Sequence, residues 1–313
     1  MVVEQVVRIV SSDTPITQGD RAFNYGDGIF TTICVTNHTA ELLPWHLSRL
    51  VHDASALAIN VNAKELHTAI QHHLIEKRKS AQSAQNNAAK YVLKVHISAG
   101  EAGRGYARDE TKPALVRFSE HDYPAHYDNT RASGLDVICA SIALAVQPAL
   151  AGIKHMNRLE QVLVKREVNL AEADDAIVCD TNDNIVEASA GNLFFHSNGM
   201  WFTPSLKGSG VNGVVRQCLI QSLLNENVPL NVGEYSLEQL QNADTAIVTN
   251  ALMGIMPIRS VAFPDGATKH YSVSNTEVTY LKSVLEAQRY ASVDSASDML
   301  SDITLNTSQQ GLV

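Results

Sequence analysis

The chain has 313 residues, of which 45% are apolar and 18% charged, and its formal net charge is −9. That length allows two domains with cores of their own, and the composition is that of an ordinary globular protein. The acidic balance leaves no broad basic surface for nucleic acid or anionic lipid, so an anionic substrate would have to be met by locally placed arginines.

The chain begins with an apolar stretch, residues 1–10, that is interrupted by Glu4 and Arg8 and has no cleavage site. It reads as a first strand rather than a secretion signal, and no apolar run approaches a membrane span. A turn at Tyr25-Gly26-Asp27-Gly28 then leads into a strand that ends at Thr31-Thr32. Pro44 opens a helix whose apolar residues Leu47, Leu50, Val51, Ala54 and Leu57 fall at helical spacing. A second helix is expected from Ala63 to Lys79, followed by a polar loop from Ser80 to Ala89. Strands follow at residues 91–97 and 114–118, and the polar, proline-bearing residues 120–128 are the expected linker between domains.

Beyond the linker, strands are expected at 135–144, 176–179, 185–186, 193–196 and 245–249. They alternate with helices starting near Arg158, Val214 and Ser236. The division implied is a smaller N-terminal α/β domain over residues 1–119 and a larger C-terminal domain over 129–293. Residues 294–313 form a polar tail with the composition of a disordered segment.

Three segments carry chemistry. In Ala151-Gly152-Ile153-Lys154-His155-Met156-Asn157-Arg158, one lysine follows an apolar run and precedes a helix. Taken alone, Lys154 reads as a surface lysine at a helix start. On a buried segment, however, its amine pKa would fall toward neutrality, and a neutral amine condenses with aldehydes. Glu187 lies in an otherwise apolar strand that turns through Ser189-Ala190-Gly191-Asn192, where a buried carboxylate needs a cationic or protonated partner. Gly208, Gly210 and Gly213 spell G-x-G-x-x-G ahead of a helix, so that backbone amides and the helix terminus can receive a phosphate. The same glycines also admit a nicotinamide dinucleotide, although no long hydrophobic strand feeds the first of them.

The cysteines Cys34, Cys139, Cys179 and Cys218 are scattered without a C-x-x-C pair, which argues against zinc and favours reduced cytoplasmic thiols. His67, His72 and His73 are poorly spaced for one helix face, so no metal is expected there.

Together with Asp20–Thr32, Gly103–Tyr106, Tyr123–Asp128, Val211–Gln217 and Asn250–Ile258, these segments resemble the fold-type IV pyridoxal-phosphate enzymes. That group holds the branched-chain and D-amino acid aminotransferases, and the motifs are most similar to its 4-amino-4-deoxychorismate lyase family. The resemblance implies a two-domain mixed α/β fold with a C-terminal pseudo-barrel, a cytoplasmic homodimer, and an active site between the domains. Pyridoxal 5'-phosphate would be held by Lys154 as an internal aldimine, with Glu187 at the pyridine nitrogen. Arg49 and the amides of Val214 and Val215 would hold the phosphate, Arg158 the ring oxygen, and Asn250 and Ala251 would add contacts.

The substrate, 4-amino-4-deoxychorismate, would displace Lys154 to form an external aldimine. Lys154 would then remove a proton, and loss of enolpyruvate would leave 4-aminobenzoate and pyruvate, a folate-branch reaction. Arg104, Tyr106, Asn250 and Leu252 would bind the substrate, and Thr32 would protonate the departing methylene. The alternative is a D-amino acid or branched-chain aminotransferase of the same fold; such relatives tend to place glutamate where Thr31 stands.

Overall fold

The structure, a computed structural model, describes residues 7–290 apart from residues 12, 84–89, 102 and 110. The described residues form two compact units. The first takes the chain up to Tyr123 together with Ile153–Asn157, and the second takes Pro124–Gly152 and Arg158–Arg289. The lysine-bearing segment, which the sequence reading places in the C-terminal domain, thus belongs to the first unit.

The first unit runs β1 (Val7–Val10), α1 (Arg21–Tyr25), β2 (Gly28–Thr36), β3 (Thr39–Ala40), α2 (Leu43–Ala56), α3 (Ala63–Ser83), β4 (Lys90–Ser98) and β5 (Ala114–Asp122). Its sheet has the order β1-β5-β4-β2-β3 and is antiparallel except for the β1–β5 pair. Alternation along β2 sends Ile29, Ile33 and Val35 to one face, where they join Leu47, Leu50 and Ala54 of α2 and Leu66, Ile70 and Leu74 of α3 in a single apolar cluster. Ile153 is part of the same cluster.

The second unit runs α4 (His126–Ser133), β6 (Leu135–Cys139), α5 (Leu159–Leu170), β7 (Asp175–Cys179), β8 (Ile185–Ala188), β9 (Asn192–Ser197), β10 (Met200–Pro204), α6 (Val214–Asn225), β11 (Leu230–Gly233), α7 (Leu237–Gln241), β12 (Thr245–Asn250), β13 (Gly254–Ala262), β14 (Thr268–His270) and α8 (Thr276–Gln288). Its strand order is β11-β10-β9-β12-β13-β6-β7-β8, with β14 on β13. The Ile185 amide at one end of that order donates to the Tyr235 carbonyl just past β11 at the other end, at 2.8 Å. The sheet therefore curls back on itself, which is the pseudo-barrel expected. Ser236 and Gln239 form a reciprocal capping box at the start of α7.

Several expectations are corrected. Thr31 and Thr32 lie inside the nine-residue β2 and do not end it. Helix α3 continues through Ser83, because Ala81 and Gln82 are good helix formers and no glycine or proline interrupts the run. Within the segment expected as linker, 120–128, Glu120–Asp122 finish β5 in register with β4 and α4 starts at His126, and the two units divide between Tyr123 and Pro124. The strand expected to reach Leu144 stops at Cys139, and Leu144 makes only an isolated bridge to Asp180. The 294–313 tail lies outside the described residues.

The Gly103–Ala107 loop is tied down from the first residue of α1. Arg21, 4% exposed, donates through its guanidinium to the carbonyls of Gly105, Tyr106 and Ala107 at 3.3, 3.0 and 3.1 Å. Its Nε donates to Asp27 at 2.7 Å, and Arg108 grips the same carboxylate through Nε at 2.9 Å and through Nη2. Burial by itself pushes the Asp27 carboxyl up. The hydrogen bonds from Arg108 and Arg21, with the charges of both, outweigh burial and hold it below its ordinary value of 3.8.

Two expectations follow from this packing. A β-carbon on Gly28 would sit 2.5 Å from the Ile97 carbonyl oxygen of β4, so Gly28→Ala should cost about 1–3 kcal/mol of stability, read from the urea midpoint. A carboxyl with a depressed folded pKa stabilises above its unfolded value and loses that contribution as pH falls through the folded one. Asp27→Asn should therefore lower the melting temperature at neutral pH and flatten its fall below about pH 4, the window set by the ordinary value of 3.8.

Candidate active site

Helix α2 places three polar side chains, His46, Arg49 and Asp53, at helical spacing among its apolar ones, and all are buried at 0, 5 and 2% exposure. Each has a distinct task. The Asp53 carboxylate accepts the backbone amide of Lys154 at 3.0 Å, and its other oxygen lies 3.1 Å from His52 Nδ1. That hydrogen bond is the main cause of the raised His52 pKa. Phe30 N donates to the Lys154 carbonyl at 3.1 Å, Met156 N donates to Gly28 O at 2.9 Å, and Ile29 bridges His155. The segment Ile153–Asn157 is thereby laid along the start of β2 as a short antiparallel strip. Lys154 is half-buried, and its Nζ lies 4.6 Å from the centre of the Phe30 ring.

Arg49 Nη2 donates to the Thr31 hydroxyl, whose oxygen is 2.6 Å from His46 Nδ1. Burial lowers the Arg49 pKa to about 10, with the Asp53 charge opposing, so the guanidinium stays charged at neutral pH. Burial, then the charges of Arg49 and Lys154, push the His46 imidazole well below its ordinary range, so it is neutral. Arg49 Nε is buried without a hydrogen-bond partner among the described residues. A buried cation with an unused donor is suited to an anion.

Thr32 points to the opposite face of β2 from Thr31, the face of Phe30, and is in register with Lys94. Arg104 and Tyr106 are exposed in this unit, Tyr106 with its ring 5.5 Å from that of Tyr25.

In the second unit Glu187 is buried rather than facing water. Its Oε2 accepts the Val211 amide at 2.9 Å, and its Oε1 accepts Gln161 Nε2 at 3.4 Å. Nearby Arg216 is fully buried; burial lowers its pKa to about 10, and the Glu187 charge opposes that shift. Asn192 clasps the glycine loop from both sides: Nδ2 donates to Val211 O at 2.8 Å and Oδ1 accepts Gly213 N at 3.1 Å. Gly210 has φ +85°, and a β-carbon there would meet Val186 at 2.6 Å, so the position requires glycine. A β-carbon on Gly213 would fall 2.2 Å from Asn192 Oδ1. Helix α6 then begins at Val214 and Val215 with no side-chain cap, leaving its first amides for an anion.

Arg158 immediately precedes α5 and is half-buried. The Asn250 side chain is committed to its own turn: Nδ2 donates to Ala190 O at 2.9 Å, and Oδ1 accepts Leu252 N at 2.9 Å and Met253 N at 2.7 Å. Asn250 thus shapes the Ala251-Leu252 turn, which Arg131 also holds by donating to the carbonyls of Leu252 and Met253. The neighbouring Thr249 hydroxyl is buried without a partner among the described residues.

In the first unit an anchored lysine suits an aldehyde and a buried guanidinium with an unsatisfied edge suits an anion; in the second, taken by itself, an uncapped helix start behind a glycine loop suits a phosphate. Among the described residues no cluster of His, Cys, Asp or Glu could hold a metal ion, and no helix is long and apolar enough to cross a membrane.

The sequence reading missed Thr31, His46, Asp53, Asn192 and Arg216. The signal for His46 and Asp53 lay in the α2 pattern itself, as polar positions three before and four after Arg49.

The family described as amino-transferase class IV matches this chain over residues 28–261. The aminodeoxychorismate lyase of Vibrio harveyi is 32% identical over 252 residues, covering 80% of this chain and 89% of its own. The D-alanine aminotransferase of Staphylococcus aureus strain N315 is 23% identical, covering 79% and 84%. Among solved structures, the 4-amino-4-deoxychorismate lyase of Pseudomonas aeruginosa superposes with a TM-score of 0.76 at 30% identity, covering 88% of this chain and 95% of its own. The branched-chain amino acid aminotransferase of Escherichia coli shares the fold, with a TM-score of 0.70 at 22% identity and coverage of 86% and 88%. The matched span takes in Lys154, Glu187 and the glycine loop, and the chain belongs to the class IV aminotransferase family, as an enzyme of fold-type IV.

Proposed function

We propose that this enzyme is a pyridoxal-phosphate-dependent carbon–oxygen lyase that converts 4-amino-4-deoxychorismate to 4-aminobenzoate and pyruvate, a step of folate synthesis. The observation that carries the reading is the likeness to the aminodeoxychorismate lyase of Vibrio harveyi, 32% identical over most of both chains, against 23% for a D-alanine aminotransferase.

Bound pyridoxal phosphate supplies an electron sink for a carbanion. Lys154 is the residue that holds its aldehyde, and Asp53 and Phe30 fix the lysine backbone so that the amine moves only through its own side chain. Arg49 and the amides of Val214 and Val215 take the phosphate. Glu187 keeps the pyridine nitrogen protonated, and Arg158 meets the ring oxygen. Asn250 and Ala251 add contacts to the cofactor, and Asn250 and Leu252 to the substrate. Arg104 and Tyr106 take the substrate's carboxylates, for which a guanidinium fork is the fitting donor.

Once freed by the substrate amine, Lys154 removes the proton from the amine-bearing ring carbon. The adjacent ring carbon–oxygen bond breaks as the ring becomes aromatic, and the released enolpyruvate takes a proton on its methylene, from Thr32, to give pyruvate. Aromatisation supplies the driving force, so the protein's contribution is orientation and proton transfer. A homodimer belongs to the same reading.

The test supplies purified protein with 4-amino-4-deoxychorismate and measures 4-aminobenzoate fluorescence and pyruvate together. Equal amounts of both are expected from the wild type, with background levels from Lys154→Ala. Amine transfer to 2-oxo acids without 4-aminobenzoate would instead identify an aminotransferase.

A further inference from the structure

The hydroxyl of Thr31 sits between two buried side chains of α2, and its hydrogen-bond directions are fixed by what surrounds it. Arg49 can only donate, so its Nη2–H occupies one lone pair of Thr31 Oγ1. The Thr31 proton then has one acceptor among the described residues, His46 Nδ1 at 2.6 Å. The neutral imidazole accepts at Nδ1 and carries its own proton on Nε2, which is buried without a partner among the described residues. All three residues are at most 5% exposed, so water does not compete for these bonds.

We propose that Thr31 is a positioning residue: by accepting from Arg49 Nη2 and donating to His46, it fixes the guanidinium so that the Nε edge is presented to the cofactor's phosphate. The role rests on the reading of Arg49 as the phosphate anchor. Arginine has several rotatable bonds, and Asp53, further along the same helix, attracts the same charge. Without the hydroxyl, the guanidinium would be free to turn toward that carboxylate and away from an incoming anion. Thr32, one residue later, cannot substitute, because successive residues of a strand point to opposite faces.

The test compares the full-length wild type with Thr31→Val and Thr31→Ser, each titrated with pyridoxal phosphate and with pyridoxal while the imine absorbance is followed. Both aldehydes use Lys154, and only the first uses Arg49. A hydrogen bond to a charged group is worth enough that Thr31→Val should weaken pyridoxal phosphate by about tenfold or more. Pyridoxal should change by less than about twofold, and Thr31→Ser should restore the wild-type preference. A merely structural role would weaken both aldehydes alike.

As a second readout, the His46 ring nitrogens in labelled protein should show the Nε2–H tautomer in wild type and in Thr31→Ser, and lose the Nδ1 hydrogen bond in Thr31→Val. A Thr31→Val protein that keeps the wild-type ratio of the two affinities overturns the proposal and leaves the cofactor reading intact. A wild type that binds pyridoxal phosphate no better than pyridoxal overturns the phosphate anchor, and this role with it.

Discussion

The carboxylate of Asp53 holds the backbone of a residue far along the chain, and the chemistry proposed for the first unit depends on that hydrogen bond. A lysine side chain is long and flexible, with considerable rotamer freedom. Its amine can be placed reproducibly only if the backbone that carries it does not move. Asp53 and the Phe30 amide hold Lys154 from two directions, and Ile153 beside it is buried in the apolar cluster of the sheet and helices. The carboxylate is itself kept in place by a helix whose Asp53 side lies among buried residues, with His52, Ser55 and Ala56 on its exposed side. Burying His46, Arg49 and Asp53 on such a helix is costly unless each is satisfied. Thr31, Lys154 and His52 supply the partners that make the arrangement tenable.

The second unit solves a related problem with a different device. Half of the positions in its loop from Gly208 to Gly213 are glycine, which brings no side chain, so the loop's course is set largely by neighbours that hydrogen-bond its backbone. Glu187 receives the Val211 amide, and Asn192 takes both the Val211 carbonyl and the Gly213 amide. Space matters as much as bonding, since neither Gly210 nor Gly213 could carry a β-carbon without displacing a neighbour. The loop delivers the chain to the start of α6 with Val214 and Val215 uncapped, a place where helix geometry favours negative charge.

Much of this was legible in the chain. The apolar spacing of Leu47, Leu50 and Ala54 gave away α2, and the apolar run from Ala176 to Cys179 gave away β7. Lys154, Glu187 and the glycine triplet were visible as a set, each with an ordinary structural reading of its own, and it was the family resemblance that tied them to one cofactor. What escaped notice has a common cause. Reading periodicity means counting apolar residues, so it passes over polar ones that are buried by pairing, as His46 and Asp53 are. It also fails where tertiary contacts decide. Strand β13 contains Pro257, which local rules disfavour in a strand, yet it runs between β12 and β6. The polar residues Glu120–Asp122 remain in β5 because β4 pairs with them. The family resemblance singled out Thr32, while the hydrogen bonds single out Thr31; which of two adjacent threonines faces α2 depends on strand register, and register is not visible in composition.

The first unit is also discontinuous along the chain, because Ile153–Asn157 completes it only after Pro124–Gly152 has been made. During synthesis, therefore, the sheet and helices up to Tyr123 emerge without the strip that bridges Ile29 and without one of their core side chains. Closing that gap is a long-range event, with the loop-closure entropy and slower kinetics such contacts carry. The boundary between Tyr123 and Pro124 is accordingly not a place where the protein can be divided into two self-sufficient pieces. Cutting there leaves the N-terminal piece without its lysine, and leaves that lysine on a piece without the carboxylate that holds it.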